Sequence, residues 1–525
     1  MSFILSRYKY GLFTFLFLIV CSFFSGAKNI YVSTTGEIYR HVNLLLPGDS
    51  MILNNGDYKD LQLVVTVSGS KLKPITILAE NPGKVFFIGD AKVELRGQYI
   101  VLSGISFDRG NRDALKWKSH GPGLVAIYGS YNRVTNCRFD NFDEANSAWI
   151  TTSLTESGEV PTHCRIDHCS FTNKLTFDQV INLNNTFKKD TIGGPPMYHR
   201  IDHCFFSNPK KKGNAGGGIR VGYYRNDIGR CMIDSNVFVR QDSEAEIITS
   251  KSRENIYYFN TFINCQGTLN FRHGDKQVAI NNFFIGNDSL FEYGGMYVWG
   301  SEHIIANNYF NLKRTIKSRG NAAIYLNAGI NASEHALAYN IQFIKNVFVN
   351  VNGYAIHFNP MLENRKAFAS ESHKPLELPH HIRLIGNVFF DNRYVGYPFF
   401  KMDSMVSDRS IFWEYCMYSG SETGIAPTEG LVEKAIRWKR IHKDFELPEW
   451  KQQNNVAGLL YDSIVGIDFS IKEKVLQGIE GSPLQIKDVI PDWMFPADGS
   501  YFQTGKLNAA LKQRLGKITN RNQAL

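Results

Sequence analysis

A short segment that ends in phenylalanine recurs along most of the chain, and this repeat restricts the fold more than any other feature. Examples are VTNCRF, IDHCSF, IDSNVF, AINNFF and FIKNVF. The final phenylalanines run from Phe107 to Phe389, and consecutive ones are 22 to 41 residues apart. Repeats of this length are typical of solenoids. The shortest separations match one coil of a β-helix, so we predict an all-β, right-handed parallel β-helix, with end caps and with loops inserted into the longer coils.

The position two residues before each of these phenylalanines is also repetitive from Phe139 onward. It holds cysteine in the earlier repeats and asparagine in the later ones, namely Cys137, Cys169, Cys204, Asn236, Asn260, Asn282, Asn308, Asn346 and Asn387. Stacked coils would place identical side chains above one another, so we expect an inward file of thiols followed by a ladder of hydrogen-bonded amides. Catalytic or metal-binding use of these residues is the alternative.

Composition and the two ends of the chain set the domain organisation. A chain of 525 residues with 43% hydrophobic and 20% charged residues is not disordered, collagen-like or coiled-coil in bulk. A solenoid needs caps on its exposed ends. We therefore predict a β-helix catalytic domain at 28–415 and a C-terminal cap or accessory region at 416–525.

The first 27 residues are typical of a secretory signal peptide. Arg7 and Lys9 precede an apolar run at 12–20, and small residues follow at 25–27. Lipid attachment at Cys21 is the weaker alternative. We expect an exported protein, periplasmic or secreted, without a membrane span. The formal net charge of +9 is compatible with an anionic substrate, although solubility alone would explain it, and we expect no nucleic-acid partner.

A candidate metal site follows from positions counted from the repeat. Asn214 and Glu246 each lie eight residues after a marker phenylalanine, so adjacent coils should place one above the other, with Glu244 on the same face. Two carboxylates and an amide oxygen suit a hard cation such as Ca²⁺. A surface acidic strand is the structural alternative.

Three basic residues should join that face. Lys251 follows Glu246 by five residues, and Arg272 and His273 lie about one short coil later. Solvated surface cations are the ordinary interpretation of such residues. A lysine that is partly buried beside other positive charge has a lowered pKa, however, and becomes available as a base.

This set of groups fits β-elimination from a uronic acid. A cation on the C6 carboxylate would stabilise the charge that develops when Lys251 removes the C5 proton. Arg272 would mainly stabilise charge at the leaving O4, because a guanidinium hardly gives up its proton, so water or another group could be the donor. No carboxylate pair for hydrolysis across a scissile bond is evident.

The sequence resembles the chondroitinase B family of polysaccharide lyases, polysaccharide lyase family 6. The resemblance extends from about residue 82 to about residue 400. Its blocks include PGKVFFIGDAKVELRG at 82–97, WKSHGPGLVAIYGSYNR at 117–133, GNAGGGIR at 213–220, GYYRNDIGRC at 222–231, RQDSEAEIITSKS at 240–252, NFRHGD at 270–275, IKSRGNAA at 316–323 and ASEHALA at 332–338.

The resemblance implies a Ca²⁺-assisted lyase that cuts dermatan sulfate between N-acetylgalactosamine 4-sulfate and iduronate. It implies that Lys251 is the Brønsted base and Arg272 the Brønsted acid, a role in tension with the chemistry of a guanidinium. It also implies that the calcium ligands are Asn214, Glu244 and Glu246. His273 and Glu334 match residues that flank the reaction centre, with a structural hydrogen bond as the alternative for each.

The resemblance also implies substrate-binding residues. Arg319 and Arg365 match arginines of the cleft, the second of which holds the 4-sulfate, and forked guanidinium donors suit such oxygens. Trp299 matches an aromatic residue on which a sugar could stack, although a single tryptophan is more often part of a core.

Two other functions remain open at this stage. Alginate lyases of the same family share the Glu-x-Glu, Lys and Arg-His-Gly motifs, but usually carry an acidic residue at the position of Gly217. A non-catalytic glycan-binding β-helix is the second alternative. A solenoid buries its core without a partner, so we expect a monomer that binds a sulfated glycosaminoglycan.

Overall fold

The structure is a computed structural model. The residues that it describes are 26–110, 122–142, 147–184, 194–213, 216–287, 289–328, 336–358, 378–393, 396–402, 410–442, 445–449 and 459–494. All but the last two residues of the predicted signal peptide therefore lie outside the described part of the chain.

Three long parallel sheets form the body of the protein. They contain 14, 14 and 12 of the described strands, and each coil adds one strand to sheet 1, then one to sheet 2, then one to sheet 3. A strand pairs with the equivalent strand of the coils before and after it, as Arg165–Asp167 pairs with Arg133–Thr135 and Arg200–Asp202. This arrangement confirms the predicted all-β parallel β-helix.

The strands of each sheet follow in chain order. Sheet 1 contains Asn29–Val32, Ser50–Leu53, Ile75–Ala79, Ile100–Ser103, Arg133–Thr135, Arg165–Asp167, Arg200–Asp202, Met232–Asp234, Ile256–Tyr258, Val278–Ile280, Ile304–Ala306, Tyr339–Ile344, His380–Ile385 and Ile411–Glu414. Sheet 2 contains Gly56–Lys59, Val85–Gly89, Ser106–Gly110, Arg138–Asp140, Ser170–Thr172, Phe205–Ser207, Val237–Val239, Thr261–Ile263, Phe283–Gly286, Tyr309–Leu312, Val347–Val349, Val388–Phe390, Cys416–Ser419 and Leu431–Glu433. Sheet 3 contains Gln62–Val65, Lys92–Leu95, Val125–Ile127, Ile150–Thr152, Ile181–Leu183, Ile219–Val221, Glu246–Ser250, Thr268–Phe271, Met296–Val298, Ala322–Leu326, Tyr354–Phe358 and Phe400–Met402.

The repeat that is visible in the sequence forms the interior of the solenoid. The marker phenylalanines from Phe107 to Phe389 stack ring on ring, with neighbouring centroids 4.5 to 5.0 Å apart. Each coil turns from sheet 1 to sheet 2 through a residue with positive φ, such as His168 (51°) or Asn281 (57°). This conformation suits a short polar side chain such as asparagine.

The inward file of amides and thiols is confirmed. Asn260 donates from Nδ2 to Asn282 Oδ1 at 3.0 Å, and Asn282 donates in the same way to Asn308 at 2.9 Å. The ladder continues to Asn387 with the same geometry. The seven described cysteines are all buried free thiols.

A short helix closes the N-terminal end of the solenoid. The helix Thr35–His41 begins with a capping box between Thr34 and Glu37, and a 3₁₀ turn follows at Val42–Leu44. Ile38 on this helix is fully buried in the main core. Apolar contact with the first coils therefore covers the exposed end.

The solenoid extends past the predicted domain boundary at residue 415. Ile411–Glu414 and Cys416–Ser419, on either side of the boundary, both pair with strands of the preceding coil. The last coil strand is Leu431–Glu433, and an antiparallel hairpin follows with strands Trp438–His442 and Phe445–Pro448. The repeat in the sequence did not predict this coil, because its strands no longer carry the phenylalanine marker.

The chain then returns along the outside of the solenoid as a segment that we call the C-terminal strap, residues 459–494. It contains the helix Ile471–Gln477 and 3₁₀ turns at Ile486–Asp488 and Asp492–Met494. Its first half packs on the outer face of sheet 1 and its second half on that of sheet 2. Among the residues described, no helix has the length and apolar character needed to cross a membrane.

Candidate active site

The outer face of sheet 3 carries a row of polar and aromatic side chains. Strand register aligns Asn182, Arg220, Thr249, Asn270 and Tyr297 on successive coils. Their apolar neighbours within each strand are buried in the main core, so alternation directs these five side chains outward. The predicted reactive residues lie at the two ends of the same strands.

Two carboxylates lie where the chain enters the strand Glu246–Ser250. Glu244 Oε2 accepts hydrogen bonds from the backbone N–H groups of Gly216 (2.8 Å) and Gly217 (3.0 Å). Glu246 Oε2 accepts from the Thr249 hydroxyl at 2.7 Å. A β-bulge follows Glu246 in the pairing with the next coil. The bulge changes the alternation of side chains and brings Glu246 to the outer face together with Thr249.

Gly217 is a described residue whose backbone lies beside Glu246. Strand register pairs Ile219 with Ile248, and the backbone of Gly217 therefore lies against Glu246. A Cβ atom on Gly217 would be 2.4 Å from the carbonyl oxygen of Glu246 and 3.5 Å from Glu244 Oε2. The two coils have different numbers of residues between the marker and the strand of sheet 3. Asn214 itself lies outside the described residues.

Lys251 and Arg272 lie side by side, each just after the C-terminal end of its strand. Each directly follows one member of the register pair Ser250 and Phe271. Glu244 and Glu246 are at the N-terminal end of the strand that precedes Lys251. Arg272 Nη1 donates to Glu246 Oε1 at 2.9 Å. Burial, together with the positive charges of Arg272 and Arg220, lowers the pKa of Lys251 to about 8, against the opposing effect of the nearby carboxylates. The amine therefore lies on the same side of the molecule as the two glutamates.

Two residues of this cluster were not singled out from the sequence. The ring of Tyr223 lies between two cations, with Arg220 Cζ and Lys251 Nζ each 5.1 Å from its centroid. Arg220 is buried and donates from Nη2 to Asn184 Oδ1 at 2.9 Å. The sequence did offer one indication of Arg220. It lies between two aliphatic residues in the strand Ile219–Val221, and this alternation indicates a polar outer face.

The remaining described candidates have different environments. His273 is 8% exposed, and its carbonyl oxygen accepts a hydrogen bond from Gln277 Nε2 at 2.8 Å. Arg319 Cζ lies 5.4 Å from the centre of the Tyr297 ring on the outer face. Trp299 is only 2% exposed and packs edge to face on Tyr297. This burial favours the packing alternative for Trp299 over stacking on a sugar, because its indole faces are already covered.

Glu334 and Arg365 lie outside the described residues, as does Asn214. The described residues contain no group of three or more His, Cys, Asp and Glu side chains that could hold a metal. Beside Gly217, the Glu244 carboxylate and the backbone carbonyl of Glu246 nevertheless supply oxygen donors, and a Cβ on this glycine would fill the space between them. This donor chemistry fits a hard cation such as Ca²⁺.

The fold and the site together define a class of protein. It is a parallel β-helix in which an amine, a guanidinium and two carboxylates lie close together on the outer face of one sheet. A family model described as Chondroitinase B matches residues 32–469. The chain belongs to this family, which places it among the polysaccharide lyases. A comparison with curated protein sequences found no match.

Solved structures of polysaccharide lyase family 6 share the fold. The alginate lyase AlyGC is 22% identical with a TM-score of 0.69, over 89% of this chain and 58% of its own. A mannuronic acid-specific enzyme from human gut microbiota is also 22% identical (TM-score 0.63, 78% and 91%). A lyase from Pseudopedobacter saltans is 18% identical (TM-score 0.60, 76% and 94%). The chain thus spans a little over half the length of AlyGC.

Proposed function

We propose that this protein is a calcium-assisted lyase that cleaves dermatan sulfate by β-elimination at iduronate. The observation that carries the proposal is the lateral cluster of Lys251, Arg272 and Glu246 on the outer face of sheet 3. An amine with a lowered pKa beside a guanidinium and carboxylates matches the needs of proton abstraction next to a sugar carboxylate. A purely binding surface does not require such a base.

Lys251 acts as the base. Its neutral amine takes the proton from C5 of the uronate, the C4–O4 bond breaks, and a C4–C5 double bond forms while O4 acquires a proton. The Tyr223 ring and the backbone bond from Lys251 N to Val221 O (2.8 Å) hold the lysine at the surface of sheet 3. Holding the base in place lowers the entropic part of the barrier.

Arg272 stabilises the negative charge that develops on the substrate. Its pairing with Glu246 fixes the guanidinium beside Lys251, and its permanent charge helps to lower the pKa of the amine. A guanidinium retains its protons near neutral pH. The proton on the leaving O4 therefore comes from water or from protonated Lys251.

Glu244 and Glu246 would hold the calcium ion, together with Asn214. When bound, the ion would neutralise the substrate carboxylate and so make the C5 proton more acidic. We expect a chelator to abolish turnover and added Ca²⁺ to restore it. Calcium binding to Glu244→Gln, measured by calorimetry without substrate, should be weaker than to the unchanged protein.

The choice of polymer rests on Gly217 and on the family. An acidic side chain, which alginate-cleaving relatives usually carry at this position, would collide here with the Glu246 carbonyl. Alginate is the second candidate substrate, because the solved structures with the same fold include alginate lyases.

The decisive experiment offers dermatan sulfate and alginate to the protein with Ca²⁺ and follows the ultraviolet absorbance of unsaturated uronate. We expect absorbance with dermatan sulfate, its loss in Lys251→Ala, and no change in Lys71→Ala, which alters an exposed lysine on an early coil. Absorbance with alginate alone would show that the substrate is alginate and not dermatan sulfate. Binding without absorbance would favour a glycan-binding protein, and full activity of Lys251→Ala would refute the mechanism.

A further inference from the structure

A pocket of about 300 Å³ lies at the corner between sheets 2 and 3, outside the cluster described above. We call it the corner pocket, and it is formed by Lys211, Gln266, Leu290, Phe291, Glu292 and Arg314. These residues come from the connections that lead into four different strands of sheet 3. Its volume is at the lower end of the range for ligand sites, about the space needed by a sugar unit.

Two residues that line the corner pocket are neighbours in the chain of residues beside or within the candidate active site. Lys212, next to Lys211, donates its backbone N–H to the carbonyl oxygen of Ser243, directly before Glu244. On the other side, Ser318 lines the pocket and belongs to the same 3₁₀ turn as Arg319. A polymer that lies along sheet 3 could therefore reach the pocket with a sugar distant from the bond that breaks.

The charged groups of the pocket favour an anion. Lys211 and Arg314 contribute two positive charges, and Glu292 contributes one negative charge. Arg314 Nη2 lies 3.6 Å from Glu292 Oε1, and the other oxygen of Glu292 accepts the backbone N–H of Lys317 at 3.3 Å. This carboxylate holds the guanidinium in position. A net positive charge remains for a ligand.

The other walls suit the ring of a sugar. Gln266 donates to Asp242 from its backbone N–H and from Nε2, each at 2.8 Å, which fixes its side chain. The charge of Asp242 is already paired with Arg240, 2.8 Å away. Arg240 also covers the Phe291 ring at 4.0 Å, while Leu290 is 60% exposed at the rim. Fixed hydrogen-bonding groups beside apolar surface are typical of carbohydrate sites.

We propose that the corner pocket binds an anionic sugar unit of the polymer remote from the cleaved bond, through Lys211 and Arg314. The proposal rests on the proposed function and adds a subsite to it. The shared chemistry is an acidic sugar, whose charge can come from a carboxylate or from a sulfate. Interactions with a distant sugar strengthen the binding of long chains and leave the chemical step on short chains unchanged.

The test compares Lys211→Ala/Arg314→Ala with Lys71→Ala/Arg437→Ala, which removes the same charges from exposed positions elsewhere. KM and kcat are measured on long chains and on the shortest oligosaccharide that the protein cleaves. We expect KM for long chains to rise about tenfold, with kcat and all short-chain constants unchanged. Lys211→Arg/Arg314→Lys should restore most of the affinity, which separates a charge effect from misfolding.

Binding to Lys251→Ala separates this proposal from the proposed function. Affinity for intact dermatan sulfate, desulfated dermatan and a neutral polysaccharide is measured with and without the double substitution. If the double substitution weakens binding of intact dermatan sulfate alone, the pocket binds the sulfate group. If it weakens binding of both acidic polymers, the pocket binds the carboxylate. Either result supports the subsite even if no polymer is cleaved. Equal affinity of the two forms for every polymer, or a fall in kcat on short chains, would overturn it while leaving the lyase proposal intact.

Discussion

Single residues on sheet 3 determine what the site can do chemically. Lys251 is partly buried between cationic neighbours, and the ring of Tyr223 lies between it and Arg220. A negatively charged substrate would approach a surface on which the only proposed base is already biased toward its neutral form. The residue scale therefore gives the most direct tests of the mechanism.

The pH dependence of turnover should report the pKa of Lys251. The pKa is lowered from 10.5 to about 8, so the neutral base becomes more abundant as pH rises. We expect kcat/KM to increase roughly tenfold per pH unit below pH 8 and to level off above it. Because the unfolded chain keeps the lysine protonated up to its usual pKa, this group also makes stability rise with pH between 8 and 10.5. A rate that is flat between pH 6 and 8 would contradict this assignment.

Gly217 should tolerate no side chain. In Gly217→Ala the new methyl group would meet the Glu246 carbonyl at 2.4 Å and displace it. We expect at least a tenfold loss of kcat/KM and a loss of about 1–3 kcal/mol in the free energy of unfolding. The matched control is Gly36→Ala, where a Cβ has nothing within 4 Å. Unchanged activity of Gly217→Ala would show that the Glu246 backbone can move freely.

Sequence reasoning identified the reactive residue types but not all of their neighbours. The spacing of Lys251 and Arg272 equals one coil, so their proximity could be predicted. The contact of Gly217 with Glu246 could not, because it depends on the unequal loops of two coils. The burial of Trp299 was equally hidden, since an aromatic residue at a strand end can face either the cleft or its neighbours.

At the scale of elements, the asparagine ladder ties each coil to the next. Asn308 accepts hydrogen bonds at Oδ1 from both N–H groups of Asn282, and its own Nδ2 donates to the Ala279 carbonyl and to Asn346. All of these groups are buried, so loss of one amide leaves several polar atoms without partners. The ladder thus makes the register of adjacent coils specific.

Asn308→Ala should be strongly destabilising. We expect a loss on the order of 3 kcal/mol in the free energy of unfolding, from the unsatisfied groups on both neighbouring coils. Asn81→Ala removes an exposed hydrogen bond to Asn55 and should cost less than about 0.5 kcal/mol. Urea denaturation of the two variants measures the difference, and equal midpoints would rule out a structural role for the ladder.

At the scale of the whole molecule, the C-terminal strap makes the outer faces of the three sheets different from one another. Apolar residues of the strap cover outward positions of sheet 1, including Ile256 and Ile304, and of sheet 2, including Val237. The described part of the strap has its apolar clusters on these two sheets. The polar outer face of sheet 3 carries the candidate site.

Weakening the strap should lower stability without altering the site. Ile471 is fully buried against sheet 1, and Ile471→Ala should cost about 2–5 kcal/mol in local or global stability. Val465→Ala, at a position that is 71% exposed, is the control. Limited proteolysis should release the strap faster in the first variant only, while lyase activity well below the melting temperature stays the same. Loss of activity in a folded Ile471→Ala protein would instead couple the strap to sheet 3.

The sequence alone determined the solenoid, its inward phenylalanine stack and its amide ladder, because these depend on a pattern that each coil repeats locally. Only the tertiary structure decided which face the strap covers, that Arg272 pairs with Glu246, and that a pocket forms where four coils meet. These features join residues on different coils. Their positions depend on loop lengths and on one β-bulge, for which a local repeat carries no information.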